Sequence, residues 1–354
     1  MQPVTAKTHR VKFEPVGIEI EVSEDETVLE GGFRSGLMLM HGCKEGQCSA
    51  CKSFLIDGEI DLERYSTFAL ADYEKEEGYT LLCRAHAYSD LVVELINYDE
   101  EMLTSGVPIQ IVKTQVEAIE PLTRDIRRLA LRLVEPREMA FNAGQYVDLR
   151  VPGTDWSRSF SMANTPETDD RLEFMIKVYP GGRFSGLLED GLKVGDMVEA
   201  KGPYGTFTLR ERSERDLVFL GGGAGMAPIW CLLNSLAERG SPRKATYYYG
   251  ARTRADLFHV NQLRELETRL PGFRCVFALS EPSPADAWEG EVGFITDVLD
   301  RCEADLTEHD AYLCGPPPMV DAGIELMARK GVPPERVHYD KFTTTASAEE
   351  EEAD

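Results

Sequence analysis

Positive charge is scarce in this chain. Against 62 Asp and Glu stand 38 Lys and Arg, a net charge of −24 over 354 residues, and that balance opposes binding to nucleic acid or to an anionic membrane surface. Long apolar runs are missing too. None approaches the roughly 18 to 20 residues that span a bilayer, and Met1-Gln2-Pro3-Val4 opens no signal peptide, so the expected location is the cytoplasm, with no membrane partner. No internal repeat is visible. Cysteine is sparse at eight, of which Cys231, Cys275 and Cys302 are scattered singly, as buried thiols usually are. Hydrophobic content of 42% is ample for packing, and the length suggests two or three domains.

Four cysteines are not scattered. Cys43-Lys-Glu-Gly-Gln-Cys48-Ser-Ala-Cys51 with a distant Cys83 has the C-x4-C-x2-C…C spacing of a plant-type [2Fe-2S] site. A short loop lets three soft thiolates converge on a small cluster while its backbone N–H groups stay near the sulfurs. Zinc fits less well, since structural zinc favours paired C-x2-C units and only Cys48 and Cys51 form one. A Rieske centre would need two histidines; His41 and His86 flank the pattern, but Cys48 and Cys51 would then be surplus. Disulfides are disfavoured without a secretory segment.

In chain order, alternation through Val11, Phe13, Ile18, Ile20 and Val22 around Pro15-Val16-Gly17 predicts a hairpin, and Ser23-Glu24-Asp25-Glu26 a capped helix start. Strands follow at 52–60 and 91–95, a small mixed sheet with one helix. Asn97 to Glu101 and Ser105 to Pro108 read as a polar connection. From Ile109 short strands at 126–134, 146–151 and 172–178, punctuated by glycines, predict an antiparallel barrel or sandwich. Near Asp216 the period lengthens, and short apolar runs at 217–220, 246–249, 275–279 and 311–313 between helical stretches predict a parallel α/β sheet. The expected division is 1–101, a linker 102–108, 109–212, 213–345, and a disordered acidic tail 346–354.

Two glycine-bearing turns stand out. Gly221-Gly222-Gly223-Ala224-Gly225-Met226-Ala227-Pro228 joins a strand to a helix, where glycine admits close backbone approach to a diphosphate and the helix start offers unpaired N–H groups. Pro228 stands where a third glycine is usual. The second, Gly181-Gly182-Arg183-Phe184-Ser185-Gly186, is a weaker anion signal, because its serine could be only a helix cap. Arg158-Ser159-Phe160-Ser161 puts a cation, a ring and a hydroxyl on one strand, suited to diphosphate pairing, stacking and a hydrogen bond; the bland alternative is a surface arginine beside a core phenylalanine.

Together with Gly202-Pro203-Tyr204-Gly205 and Cys314-Gly315-Pro316-Pro317-Pro318-Met319, these motifs resemble the ferredoxin-NADP reductase superfamily. With the ferredoxin-like segment in front, the order resembles the reductase components of soluble di-iron monooxygenases acting on methane, propane, phenol or alkenes. The resemblance implies a β-grasp ferredoxin domain, an antiparallel β-barrel FAD domain and an α/β nucleotide domain. It implies Cys43, Cys48, Cys51 and Cys83 as cluster ligands. Arg158, Ser159, Phe160, Ser161, Gly182, Arg183, Phe184 and Ser185 would surround FAD, with Gly223, Gly225, Pro228, Gly315 and Pro316 around the nicotinamide dinucleotide. Ser161, Cys314 and Phe342 would stand at the reacting centre, Phe342 covering the flavin. The family usually has tyrosine at Phe160, so stacking is retained without the hydroxyl. NADH is the implied donor, although Arg252 and Arg254 could meet the 2′-phosphate of NADPH.

The expected function is electron transfer from NADH through FAD and the cluster to a di-iron hydroxylase, by a protein monomeric when alone. The alternatives are a reductase for a Rieske-type dioxygenase and a non-catalytic iron-sulfur carrier or redox sensor. Residues 1–101 hold 21 acidic and 9 basic side chains, which suits docking to a basic partner.

Overall fold

A computed structural model of the chain describes residues 7–104 and 106–342. Met1 to Val4 and the tail 346–354 lie outside the described residues. The chain divides into two compact units, residues 1–110 with 202–206, and residues 111–201 with 207–354.

The first unit opens with a hairpin of β1 (Thr8–Glu14) and β2 (Ile18–Ser23), closed by Gly17 N–H donating to the Phe13 carbonyl at 2.8 Å. Helix α1 (Val28–Arg34) buries Val28, Leu29 and Phe33. It lies so close to β2 that a Cβ on Gly31 would stand 2.6 Å from Val22. Its cap is Thr27, in a reciprocal box with Glu30, rather than the acidic run before it; Glu26 instead pairs with Arg34 at 2.7 Å. Then follow β3 (Lys52–Asp57), β4 (Ile60–Leu62), α2 (Asp72–Glu77), β5 (Tyr79–Leu81), β6 (Ala85–Ala87), β7 (Leu91–Glu94) and α3 (Glu100–Leu103). The main sheet runs β2-β1-β7-β3-β5, with β1 and β7 parallel and the other described pairs antiparallel. Asp99 caps α3, and Met102 and Leu103 are buried, so part of the polar connection folds onto this unit.

Next in the chain, and in the second unit apart from Gln110 and residues 202–204, come β8 (Gln110–Pro121), β9 (Ile126–Glu135), β10 (Tyr146–Arg150), β11 (Ser157–Ser161), β12 (Arg171–Lys177), the short α4 (Leu187–Asp190) and β13 (Met197–Tyr204). The strand order is β11-β10-β13-β8-β9-β12. The open edges approach each other where Ala163 N–H donates to the Glu173 carbonyl at 2.7 Å, making a near-closed barrel.

Next come β14 (Asp216–Gly222), α5 (Met226–Glu238), β15 (Ala245–Ala251), α6 (Val260–Arg269), β16 (Phe273–Leu279), β17 (Glu291–Val292), α7 (Ile295–Cys302), β18 (His309–Gly315), α8 (Pro317–Arg329) and β19 (Val337–Lys341). The sheet is parallel in every described pair and runs β17-β16-β15-β14-β18-β19. Strand β14 is buried on both faces, as such strands are. Leu217 and Phe219 join a core with Ile229 and Leu263, while Val218 and Leu220 join one with Val298 and Val320. The chain leaves β14 toward β15 on one side and returns as β18 on the other. That reversal opens a crevice beyond the carboxyl ends of β14 and β18, the usual ligand position in such sheets.

Candidate functional site

The cysteine loop is curled by left-handed residues at Lys44, Gly46 and Ser49, which turn backbone N–H groups inward. Glu45 and Gln47 N–H groups donate to the Cys43 sulfur at 3.4 and 3.2 Å, and that of Cys43 to the Cys48 sulfur at 3.2 Å. Such donors favour thiolate. Cys51 precedes β3 and Cys83 follows β5; the Lys52–Leu81 register of those strands brings the two cysteines together. The thiols therefore come as two pairs. A hydrogen bond from Cys48 pulls Cys43 down to about 5, and one from Cys83 lowers Cys51.

Two and two is the donor set a [2Fe-2S] cluster takes from four cysteines. Among the described residues no three His, Cys, Asp or Glu side chains gather closely enough to hold a single metal ion. Both histidines near the loop have their ring nitrogens occupied. His41 Nδ1 lies 2.7 Å from the Leu39 carbonyl, and Nε2 accepts from Gly205 N–H at 3.0 Å. His86 meets the Glu24 carbonyl at 3.0 Å and Glu63 at 3.1 Å.

In the second unit, β11 carries the cation, ring and hydroxyl. Phe160 is half-buried, its ring 5.0 Å from Phe184, which is fully buried beneath it. Ser159 faces away and donates to Asp148 at 2.6 Å. A Cβ at Gly182 would stand 2.2 Å from the Ser185 hydroxyl, so a larger residue there would turn that hydroxyl out of its present place. Ser185 caps no helix: α4 starts after Gly186, and the hydroxyl accepts from Tyr179 N–H at 3.2 Å.

Ser161 meets the parallel sheet. Its hydroxyl lies 3.5 Å from Asp340 Oδ2, and Asp340 is the register partner of Cys314 across β18 and β19. Phe342 lies two residues on, its N–H donating to the Gly315 carbonyl at 2.9 Å. Two residues named from the sequence, Ser161 and Cys314, thus flank a third that sequence reasoning missed, with Phe342 just beyond it. Asp340 could have been found from its place two residues before Phe342, since alternate strand residues share a face.

Asp340 is half-buried, and desolvation pushes its carboxyl up to about 6, with the Ser161 hydrogen bond opposing. A raised carboxyl stabilises the fold while it is protonated, and that contribution is lost as pH rises through the folded value. From about pH 5 to pH 8, thermal unfolding of flavin-stripped protein should therefore show wild type losing about 1 kcal/mol relative to Asp340→Asn. Parallel profiles would mean that the Asp340 carboxyl titrates alike in the folded and unfolded chain. Cys314 is fully buried, and that burial raises its thiol, keeping it neutral.

Beyond β14 the glycines pinch three strand ends together. A Cβ on Gly222 would lie 2.7 Å from the Gly250 carbonyl, and one on Gly225 2.3 Å from that of Cys314. Gly223, at φ 57°, has nothing within 4 Å of its Cβ position. Pro228 is third in α5, where its missing N–H forfeits no helical bond. Gly315 and Pro316 lead into α8 beside it. This crevice has the form of an anion site between two helix starts. Of the two arginines after β15, Arg254 donates to the Asp286 carbonyl at 2.6 Å, while Arg252 is exposed.

Family models agree with this layout segment by segment. A 2Fe-2S iron-sulfur cluster binding domain matches residues 11–88, an oxidoreductase FAD-binding domain 113–209, and an oxidoreductase NAD-binding domain 219–323. The chain is 54% identical over 347 residues to the reductase component of propane 2-monooxygenase from Rhodococcus jostii (strain RHA1), covering 97% of this chain and 94% of that one. It is 37% identical to the phenol 2-monooxygenase reductase component DmpP of Pseudomonas sp. (strain CF600), with 96% of each chain covered. Among solved structures it is similar to the Amycolatopsis cytochrome P450 reductase GcoB, with a TM-score of 0.85 and 34% identity over 95% of this chain and 99% of that one.

Proposed function

We propose a role from one premise: this chain belongs to the family of monooxygenase reductase components, in which a ferredoxin-like segment precedes FAD- and NAD-binding segments. It is an oxidoreductase that passes electrons from a nicotinamide dinucleotide to the hydroxylase of a monooxygenase. When bound, FAD takes up a hydride's two electrons and releases them singly, as a [2Fe-2S] cluster requires. No helix among the described residues is long and apolar enough to cross a membrane.

The finer reading takes NADH as donor and a di-iron hydroxylase of the propane-oxidising kind as acceptor. Supporting the latter is the 54% identity to a propane 2-monooxygenase reductase component, against 33% to the electron transfer component of toluate 1,2-dioxygenase from Pseudomonas putida. Residues 1–101 would hold the cluster on Cys43, Cys48, Cys51 and Cys83. Residues 109–212 would hold FAD with Arg158, Phe160, Ser161 and Ser185. Residues 213–345 would bind the dinucleotide along Gly223, Gly225, Pro228 and Cys314. One chain carries all three segments, so a monomer suffices. The cytoplasm suits eight unpaired cysteines.

The observation that carries the reading is the convergence of Ser161 from the barrel with Cys314 and Asp340 from the parallel sheet. Those groups stand where a nicotinamide held by the crevice would meet a flavin held by β11. There the Ser161 hydroxyl donates a long hydrogen bond to an Asp340 carboxyl raised to about 6, and Cys314 adds a neutral thiol. Anaerobic titration with NADH tests it. Complete bleaching of flavin and cluster absorbance should take about 1.5 NADH per chain. A flavin spectrum alone, bleached by one NADH, would contradict the cluster assignment.

A further inference from the structure

Trp156 is 47% exposed and stands just ahead of β11. Its backbone is fixed at both polar atoms: the carbonyl accepts from Val151 N–H at 2.7 Å, and the N–H donates to the Thr154 hydroxyl at 3.1 Å. Two guanidinium groups lie over its ring, with Arg183 Cζ 3.7 Å and Arg158 Cζ 5.1 Å from the centroid. Arg158 lies two residues further on, in β11, and its guanidinium reaches back to the same side of the chain. Arg183 arrives from the Gly181-Gly182 turn. Neither arginine is paired with a carboxylate among the described residues, although most arginines of this acidic chain are; Arg158 donates only to the Ser157 carbonyl, at 2.8 Å.

Two like charges gathered on one ring without a counter-ion form an arrangement that an anion completes. The choice of an indole has a chemical reason. A carboxylate would neutralise the guanidinium and occupy its donor edge, whereas a tryptophan face restrains the plane and leaves charge and N–H groups available. We propose that Trp156 is a positioning residue that holds Arg183 beside Arg158, making Arg183 a second cation for the diphosphate of FAD. The proposal rests on the assignment of FAD to this segment.

The test is titration of full-length, flavin-stripped protein with FAD and with riboflavin, which lacks the diphosphate, followed by flavin fluorescence. Trp156→Leu should weaken FAD binding about tenfold and leave riboflavin binding within about twofold, while Trp156→Phe keeps most of the FAD affinity. Arg183→Met should weaken FAD binding similarly. The double variant should be no weaker than Arg183→Met alone, because the ring acts through that arginine. Additive losses, or equal losses for riboflavin, would overturn the proposal and leave Trp156 a purely structural residue. Thermal melting of each variant identifies any that fails to fold, in which case Trp156→Phe and Arg183→Met carry the decision. Wild-type protein that takes up riboflavin and FAD equally would instead refute the diphosphate assignment itself.

Discussion

Replacing Cys51 with serine should reduce electron delivery to one-electron protein acceptors, the hydroxylase or cytochrome c, by at least about a hundredfold, yet leave NADH-driven reduction of a small dye within about twofold. The expectation follows from where the residue sits. Cys51 is buried, hydrogen-bonded with Cys83, and anchored by the β3–β5 register. A hydroxyl at that place stays largely protonated and is a poor ligand for iron. Of the residues proposed to line the nicotinamide and flavin sites, Phe160, Phe184, Cys314 and Phe342 lie in or against a hydrophobic core whose members among the described residues fall between Val112 and Phe342, so the substitution should leave that core packed. Loss of cluster absorbance alongside retained flavin absorbance would identify the cause. Loss of both activities would mean that input and output cannot be separated, and unchanged delivery to cytochrome c would remove Cys51 from the electron path.

Much of this division was legible in the sequence because the signals are local. The cysteine spacing needs only a short loop, and the Gly223 turn needs only a strand before it and a helix after it; both are statements about neighbours along the chain. Strand alternation in Leu129, Leu131 and Leu133 likewise reports one buried face of β9, and all three are buried. What could not be read locally is what the topology brings together from a distance. Asp340 and Ser161 are 179 positions apart, and only the placing of β19 beside β18 puts the carboxyl opposite Cys314. The pairing of the cysteines two and two has the same origin, since it depends on Lys52 facing Leu81. Phe184 shows the converse. Its motif marked it for cofactor contact, and the structure places it beneath Phe160 in the core, a burial that no spacing within Gly182-Arg183-Phe184-Ser185 expresses.

The glycines of the β14 turn separate two jobs that one motif merges, and alanine substitution should tell them apart. At Gly225 the added methyl would meet the Cys314 carbonyl oxygen at 2.3 Å, its carbon at 2.6 Å and Gly315 Cα at 2.7 Å. All three are backbone atoms of the adjoining strand end, so no side-chain rotation relieves the clash. The turn and β18 must move apart, at a cost of about 3 kcal/mol by the scale of overpacked cores. Because β18 carries Cys314 and receives Asp340, that movement should also cut NADH-driven dye reduction by at least about a hundredfold. At Gly223 the methyl meets nothing within 4 Å, and the left-handed φ of 57° alone costs about 1 to 2 kcal/mol. The space above it is where a dinucleotide backbone would pass, so Gly223→Ala should raise the KM for NADH about tenfold while kcat changes little. Steady-state kinetics and thermal melts of the two variants decide the matter. A Gly225→Ala protein with wild-type melting and kinetics would refute the close approach of this turn to the end of β18, and an unchanged KM in Gly223→Ala would move the dinucleotide away from the turn.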